Sequence, residues 1–144
     1  MYQQILVPTD GSEMSLRAVK TAASLAKLTA ARLQVLSVKE PFPYSAISEM
    51  QPVPPQEFFD AQERVAQARV YAALEAARAQ GVKAEGATVE ALHPWEAITE
   101  HAKAKGCDLV VMASHGRRGL GALLLGSETQ KVLTHSALPV LVIR

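Results

Sequence analysis

The chain has one cysteine, no long apolar run and almost no net charge, and each scarcity excludes a class of protein. A lone Cys107 cannot form an intramolecular disulfide, so nothing points to an oxidising compartment, and the cytoplasm is the expected location. No apolar stretch approaches the roughly 18 residues of a membrane span, so no membrane partner is expected. The opening Met1-Tyr2-Gln3-Gln4 carries neither a basic region nor a long apolar one, so no signal peptide is expected. With 15 Lys and Arg against 14 Asp and Glu, the net charge of +1 gives no broad basic face for nucleic acid. His93, His101, His135 and Cys107 show no metal-ligand spacing, so no metal site is expected. The glycines fit neither a Walker A loop, which needs Gly-Lys-Ser/Thr, nor G-x-G-x-x-G in the first strand-to-helix turn.

What the chain does have is core-forming material. It is 49% hydrophobic over 144 residues, which suits one domain spanning 1–144. Strand and helix patterns alternate throughout. Ile5-Leu6-Val7 reads as a first strand ended by Pro8. Ser12 is placed to cap a helix with Val19, Ala22, Ala23 and Ala26 on one stripe. Leu33, Val35, Leu36 and Val38 mark a second strand. A long helix over residues 56–80 places Phe59, Ala66, Val70, Ala73 and Ala77 near one face. Residues 84–89 form a weak third strand, poor in β-branched residues. Pro94 suits the first position of a third helix reaching about Lys105. Residues 108–112 form the fourth strand and residues 127–135 the fourth helix. Pro139-Val140-Leu141-Val142-Ile143 is the last strand. Continuous apolar strands alternating with helices predict an α/β fold: an open, doubly wound, five-stranded parallel sheet with helices on both faces.

In such sheets ligands bind at the carboxyl ends of the strands, near the point where strand order reverses. Three unusual segments fall at that edge. The first is Pro8-Thr9-Asp10-Gly11-Ser12. The second starts at Lys39 and runs into residues 41–55, which hold five of the 8 prolines and can serve as a lid over the pocket or as a solvated loop. The third follows strand four and holds four of the 8 glycines, Gly116, Gly119, Gly121 and Gly126. Glycine admits φ > 0 and lets backbone amides approach a ligand closely. A helix starting just after Gly126 aims N–H groups and a positive dipole end into that loop, which suits a phosphate.

The individual side chains leave alternatives open. Asp10 can accept hydrogen bonds from ribose hydroxyls, or it is a turn aspartate of the Asp-Gly pair. Ser127 with Gln130 matches the capping box S-x-x-Q. His115 is either a ligand contact or a histidine held by backbone hydrogen bonds. Arg117 and Arg118 reach a phosphate or form a solvated basic turn. Glu128 is the carboxylate nearest the proposed phosphate loop.

At these residues the whole chain resembles the universal stress protein family, in its nucleotide-binding branch. The resemblance rests on Ile5-Leu6-Val7-Pro8-Thr9-Asp10-Gly11-Ser12, on Asp108-Leu109-Val110-Val111-Met112-Ala113-Ser114-His115-Gly116 and on the C-terminal strand. Of the family's motif G-x₂-G-x₉-G-[S/T], Gly116, Gly126 and Ser127 match the last three elements. Ala113 replaces the first glycine. That methyl costs on the order of 1 kcal/mol if residue 113 must take φ > 0, and little if it keeps strand geometry.

The resemblance implies strand order 3-2-1-4-5 and binding of ATP or a related adenine nucleotide, with or without magnesium. Asp10 would hold the ribose. The Val38 backbone would meet the adenine edge, with Pro8 and Thr9 lining that pocket, and Gly116, Gly126 and Ser127 would hold the phosphates. Ala113, His115, Arg117, Gly119 and Glu128 complete the candidate contacts, and no catalytic residue is assigned. The expected role is a stress-response signalling or interaction module gated by its ligand. The expected assembly is a homodimer through the C-terminal strand, whose apolar edge has only Pro139 and Arg144 to protect it. Its rivals are a slow ATPase or nucleotidyl or phosphoryl transferase, and a dimerisation module that binds no nucleotide.

Overall fold

The computed structural model describes residues 1–41, 55–116 and 124–144. Within them five strands alternate with four helices. In chain order these are β1 (Gln4–Pro8), α1 (Glu13–Thr29), β2 (Arg32–Lys39), α2 (Gln56–Arg78) and β3 (Ala84–Glu90). There follow α3 (Pro94–Ala104), β4 (Leu109–Ala113), α4 (Ser127–His135) and β5 (Val140–Ile143). Every pairing is parallel and the sheet order is β3-β2-β1-β4-β5. The lid or solvated loop expected of the proline-rich stretch, and the candidates Arg117, Arg118 and Gly119, lie outside the described residues.

The apolar runs become central strands because both faces of the sheet are covered. Ile5, Val7, Leu33, Val35, Leu109 and Val111 face α1 and α2, while Leu6, Leu36, Val110 and Met112 face α3 and α4. Burying such a side chain stabilises the fold by roughly 1.5–3 kcal/mol. The alanine stripe of α1 is buried in full, which lets that helix lie close to the sheet. On α2 the residues Ala66, Val70, Ala73 and Ala77 are buried as expected, but Phe59 is only half-buried, near the start of the helix. No helix among the described residues is long and apolar enough to cross a membrane.

The weakness of β3 in the sequence has a packing cause. Its register sets Ala84, Gly86 and Thr88 opposite Leu33, Val35 and Ser37, on the face that carries α2. A Cβ on Gly86 would collide with Val70 Cγ1 and lie 3.2 Å from Leu74 Cδ1. Small residues here are what allow α2 to reach the sheet. Gly86→Ala is therefore expected to destabilise the protein by about 1–3 kcal/mol, the usual cost of overpacking a buried site. Urea unfolding of the two proteins measures it, and equal midpoints would contradict this packing.

Candidate functional site

The turn after β1 is fixed by its own side chains. Thr9 is buried, its backbone N–H donates to Leu36 O at 2.8 Å, and its hydroxyl lies 3.1 Å from Ser15 Oγ. Gly11 takes φ +79°, a left-handed value that glycine reaches without a Cβ penalty. Ser12 caps α1 as expected, accepting from Ser15 N at 3.2 Å. Asp10 Oδ1 accepts from Ser12 N at 2.9 Å, so the turn role of this aspartate is real. Its other oxygen faces the loop after β4, where a Cβ added to Gly116 would lie 2.7 Å from Asp10 Oδ2.

The end of β4 is stitched to the start of α4. Gly126 N donates to Ser114 O at 2.7 Å, and the buried Thr129 hydroxyl donates to Ala113 O at 3.0 Å. Ala113 stays in the strand, and Ala30 is the one non-glycine residue with positive φ among those described. The methyl at 113 therefore carries no conformational penalty. Neither Gly116 nor Gly126 is left-handed. What they provide is closeness, since a Cβ on Gly126 would sit 3.2 Å from Ser114 O.

The capping box expected of Ser127 and Gln130 does not form. The N-cap is Gly126, which has no side chain to offer, and Ser127 is the first helical residue. Gln130 instead donates through Nε2 to Leu125 O at 2.8 Å. The physical reason is the tight Gly126–Ser114 contact, which starts the helix one residue early. As a result the N-cap residue puts no side chain over the first amides of α4, and a helix start of this kind favours an anion.

All candidates within the described residues line one cleft of about 750 Å³. Pro8, Thr9 and Asp10 come from the first loop and Val38 from the end of β2. Ala113, His115, Gly116, Gly126, Ser127 and Glu128 come from the β4–α4 connection. The cleft lies over the carboxyl ends of β1 and β4, where the strand order reverses. Val38 contributes main-chain groups. The last link between β1 and β2 is Thr9 N to Leu36 O, and polar backbone groups two residues apart face the same side of a strand. The N–H and C=O of Val38 thus point past the end of β1, while the Lys39 carbonyl turns to the other side and accepts from Ala91 N at 3.2 Å.

His115 is buried and its Nδ1 lies 3.0 Å from Ser114 Oγ, so its partner is a side-chain hydroxyl and not the expected backbone group. Glu128 accepts at Oε2 from Trp95 N at 2.9 Å. Cys107 is buried, and burial, with the Asp108 carboxylate beside it, pushes its thiol up to about 11.

The sequence reading missed several cleft residues. Arg69 enters from α2, beside the buried Ala66 and Val70, and looks like an ordinary flanking charge in the sequence. Ala91, Leu92 and Pro94 follow β3, and applying the carboxyl-end rule to that strand would have found them. Lys39 also lines the cleft and pairs with Glu63 of α2 at 2.6 Å. Gln67 Nε2 and Thr88 Oγ1 donate to Glu63 as well, at 2.7 and 3.0 Å.

Those donors, the Lys39 ammonium first, lower the Glu63 carboxyl from 4.5 to about 2. A depressed carboxyl stabilises the fold above its unfolded value, and the benefit fades as pH falls from 4.5 through 2. The stability gap between wild type and Glu63→Gln should be widest near pH 7 and should shrink across that window. Urea titrations at several pH values check it, and a gap independent of pH would refute the assignment.

Sheet order and cleft position define a class, the doubly wound α/β domains that take ligands at the carboxyl edge. A family model described as "Universal stress protein family" matches residues 1–144, and the chain belongs to that family. It is 34% identical over 150 residues to the universal stress protein YxiE of Bacillus subtilis, covering all of both chains. Among solved structures, a Methanocaldococcus jannaschii protein whose biochemical function was assigned from its structure is 30% identical, with a TM-score of 0.83 over 99% of this chain and 96% of that one. A universal stress protein solved in complex with cAMP is 28% identical, with a TM-score of 0.75 over 99% of this chain and 97% of that one.

Proposed function

We propose that this protein binds an adenine nucleotide in the cleft over β1 and β4 and works as a ligand-gated interaction module, with ATP as the first ligand to test. The observation that carries the reading is the meeting of Asp10 with Gly116 beside the glycine N-cap of α4. A carboxylate that accepts from ribose hydroxyls stands next to amides that receive phosphates. The Val38 N–H and C=O match the donor–acceptor edge of adenine. The cAMP complex of a 28% identical relative supports the same ligand class.

In this reading Asp10 orients the sugar and the Gly126–Ser127 amides hold the phosphates. No bond-breaking step is assigned to any residue. The proposed assembly is a homodimer through β5, which pairs with β4 on one side only. Mass spectrometry of small molecules released from purified, denatured protein, together with ATP titration, tests the ligand. The absence of both a retained adenine nucleotide and titratable ATP binding would defeat the proposal. Phosphate release from ATP, compared with and without magnesium, tests the ATPase alternative.

A further inference from the structure

Three helices, α1, α3 and α4, begin at the cleft, and one carboxylate serves the last two. The start of α3 has little support of its own. His93 at the N-cap makes no side-chain cap hydrogen bond, and Pro94 has no N–H. The next donor, Trp95 N, is met by Glu128 Oε2 at 2.9 Å from the first turn of α4. At the last turn of α4, His135 stacks on the Trp95 ring, with centroids 4.4 Å apart and planes 26° apart. The first turn of α3 is thus held to both ends of α4. Leu92 and Pro94, which lead into that turn, form one wall of the cleft, and Ser127 at the start of α4 forms another.

Glu128 also lines the cleft, where a carboxylate aimed at a phosphate would repel it. Its bond to Trp95 N resolves that conflict. A carboxylate on a helix N-terminus makes a charge-assisted hydrogen bond and offsets the positive end of the dipole. The α3 terminus is then occupied, and the α4 amides remain for the anionic end of a ligand.

We infer that Glu128 is a positioning residue of the nucleotide site: without touching ligand, its carboxylate clasps the first turn of α3 to the start of α4 and so sets the spacing of two cleft walls. This role rests on the nucleotide reading above. Trp95 is the only tryptophan in the chain, so its signals report the clasp directly. The variants are Glu128→Gln, which keeps an acceptor oxygen, and Glu128→Ala, which removes it. In ligand-free full-length protein, Glu128→Ala should move the Trp95 backbone amide resonance and change tryptophan emission, and Glu128→Gln should leave both near wild type. In calorimetry with ATP, Glu128→Ala should lose about tenfold in affinity, and Glu128→Gln should restore it.

Equal affinity loss in both variants, with the Trp95 amide near wild type in Glu128→Gln, would mean that the charge itself acts on ligand or metal, and it would overturn the positioning role. An unmoved Trp95 amide in Glu128→Ala would show that the clasp is not made. Wild-type protein that neither binds ATP nor retains an adenine nucleotide would defeat the nucleotide reading and the positioning role with it. In that case the Trp95 resonance still decides whether the clasp exists.

Discussion

Replacing Gly126 with valine is expected to cut affinity for ATP by on the order of a hundredfold or more. The carbonyl that a Cβ would crowd, Ser114 O at 3.2 Å, cannot easily retreat. It is held by Gly126 N at 2.7 Å and by the Thr129 hydroxyl at 3.3 Å. The added carbons must therefore push the start of α4 away from β4 and carry its amides with them. Two or more charge-assisted hydrogen bonds to phosphate are weakened together, each worth about 1.5–3 kcal/mol. Asp10→Asn makes the companion test. It keeps an oxygen to accept from Ser12 N and so spares the turn, but it removes the charge proposed to hold a ribose. Its loss should be about tenfold. Titration calorimetry with a parallel melting curve separates binding from folding. Wild-type affinity in both variants would remove the ligand from this cleft.

The second large effect concerns assembly. β5 is the outer strand beside β4, and Leu141 at its centre is 39% exposed. The backbone of such an edge is free to pair with another strand. Two copies related by a twofold axis would pair their β5 strands antiparallel and cover Leu141 with its own counterpart. Leu141→Lys should convert a dimer to a monomer, because two ammonium groups would face each other across the twofold. Val140 is a poorer choice, since it packs on the core beneath α3 and α4 and its loss would disturb folding. Light scattering of both proteins at micromolar concentration reads the result. A monomeric wild type would end the proposal.

Most of the architecture was legible because the strands bury both faces and so read as unbroken apolar runs. Ile5-Leu6-Val7 and Leu109-Val110-Val111-Met112 left little choice. β3 was faint for a reason that only packing supplies: α2 lies on its small residues, so the β-branched signature is missing. The three candidate loops were legible as a group, through the carboxyl-edge rule. The details that failed depend on distances no periodicity encodes. Ser127 looks like a cap, yet the short Gly126–Ser114 contact makes it the first helical residue. The glycines read both as sites of unusual backbone angle and as sites of close approach, and at Gly116 and Gly126 only the second holds. Glu128 reads as a ligand-facing acid until its partner, 33 residues away in the chain, comes into view.

The burial of Cys107 bears on how the protein can react with its surroundings. With a thiol pushed up to about 11, only on the order of one molecule in ten thousand carries a thiolate at neutral pH. The thiolate is the form that attacks peroxides and disulfides, and the sulfur is also shielded by its position in the core. The one cysteine of the chain is therefore a poor target for oxidants, and any redox sensitivity would have to enter through another kind of residue.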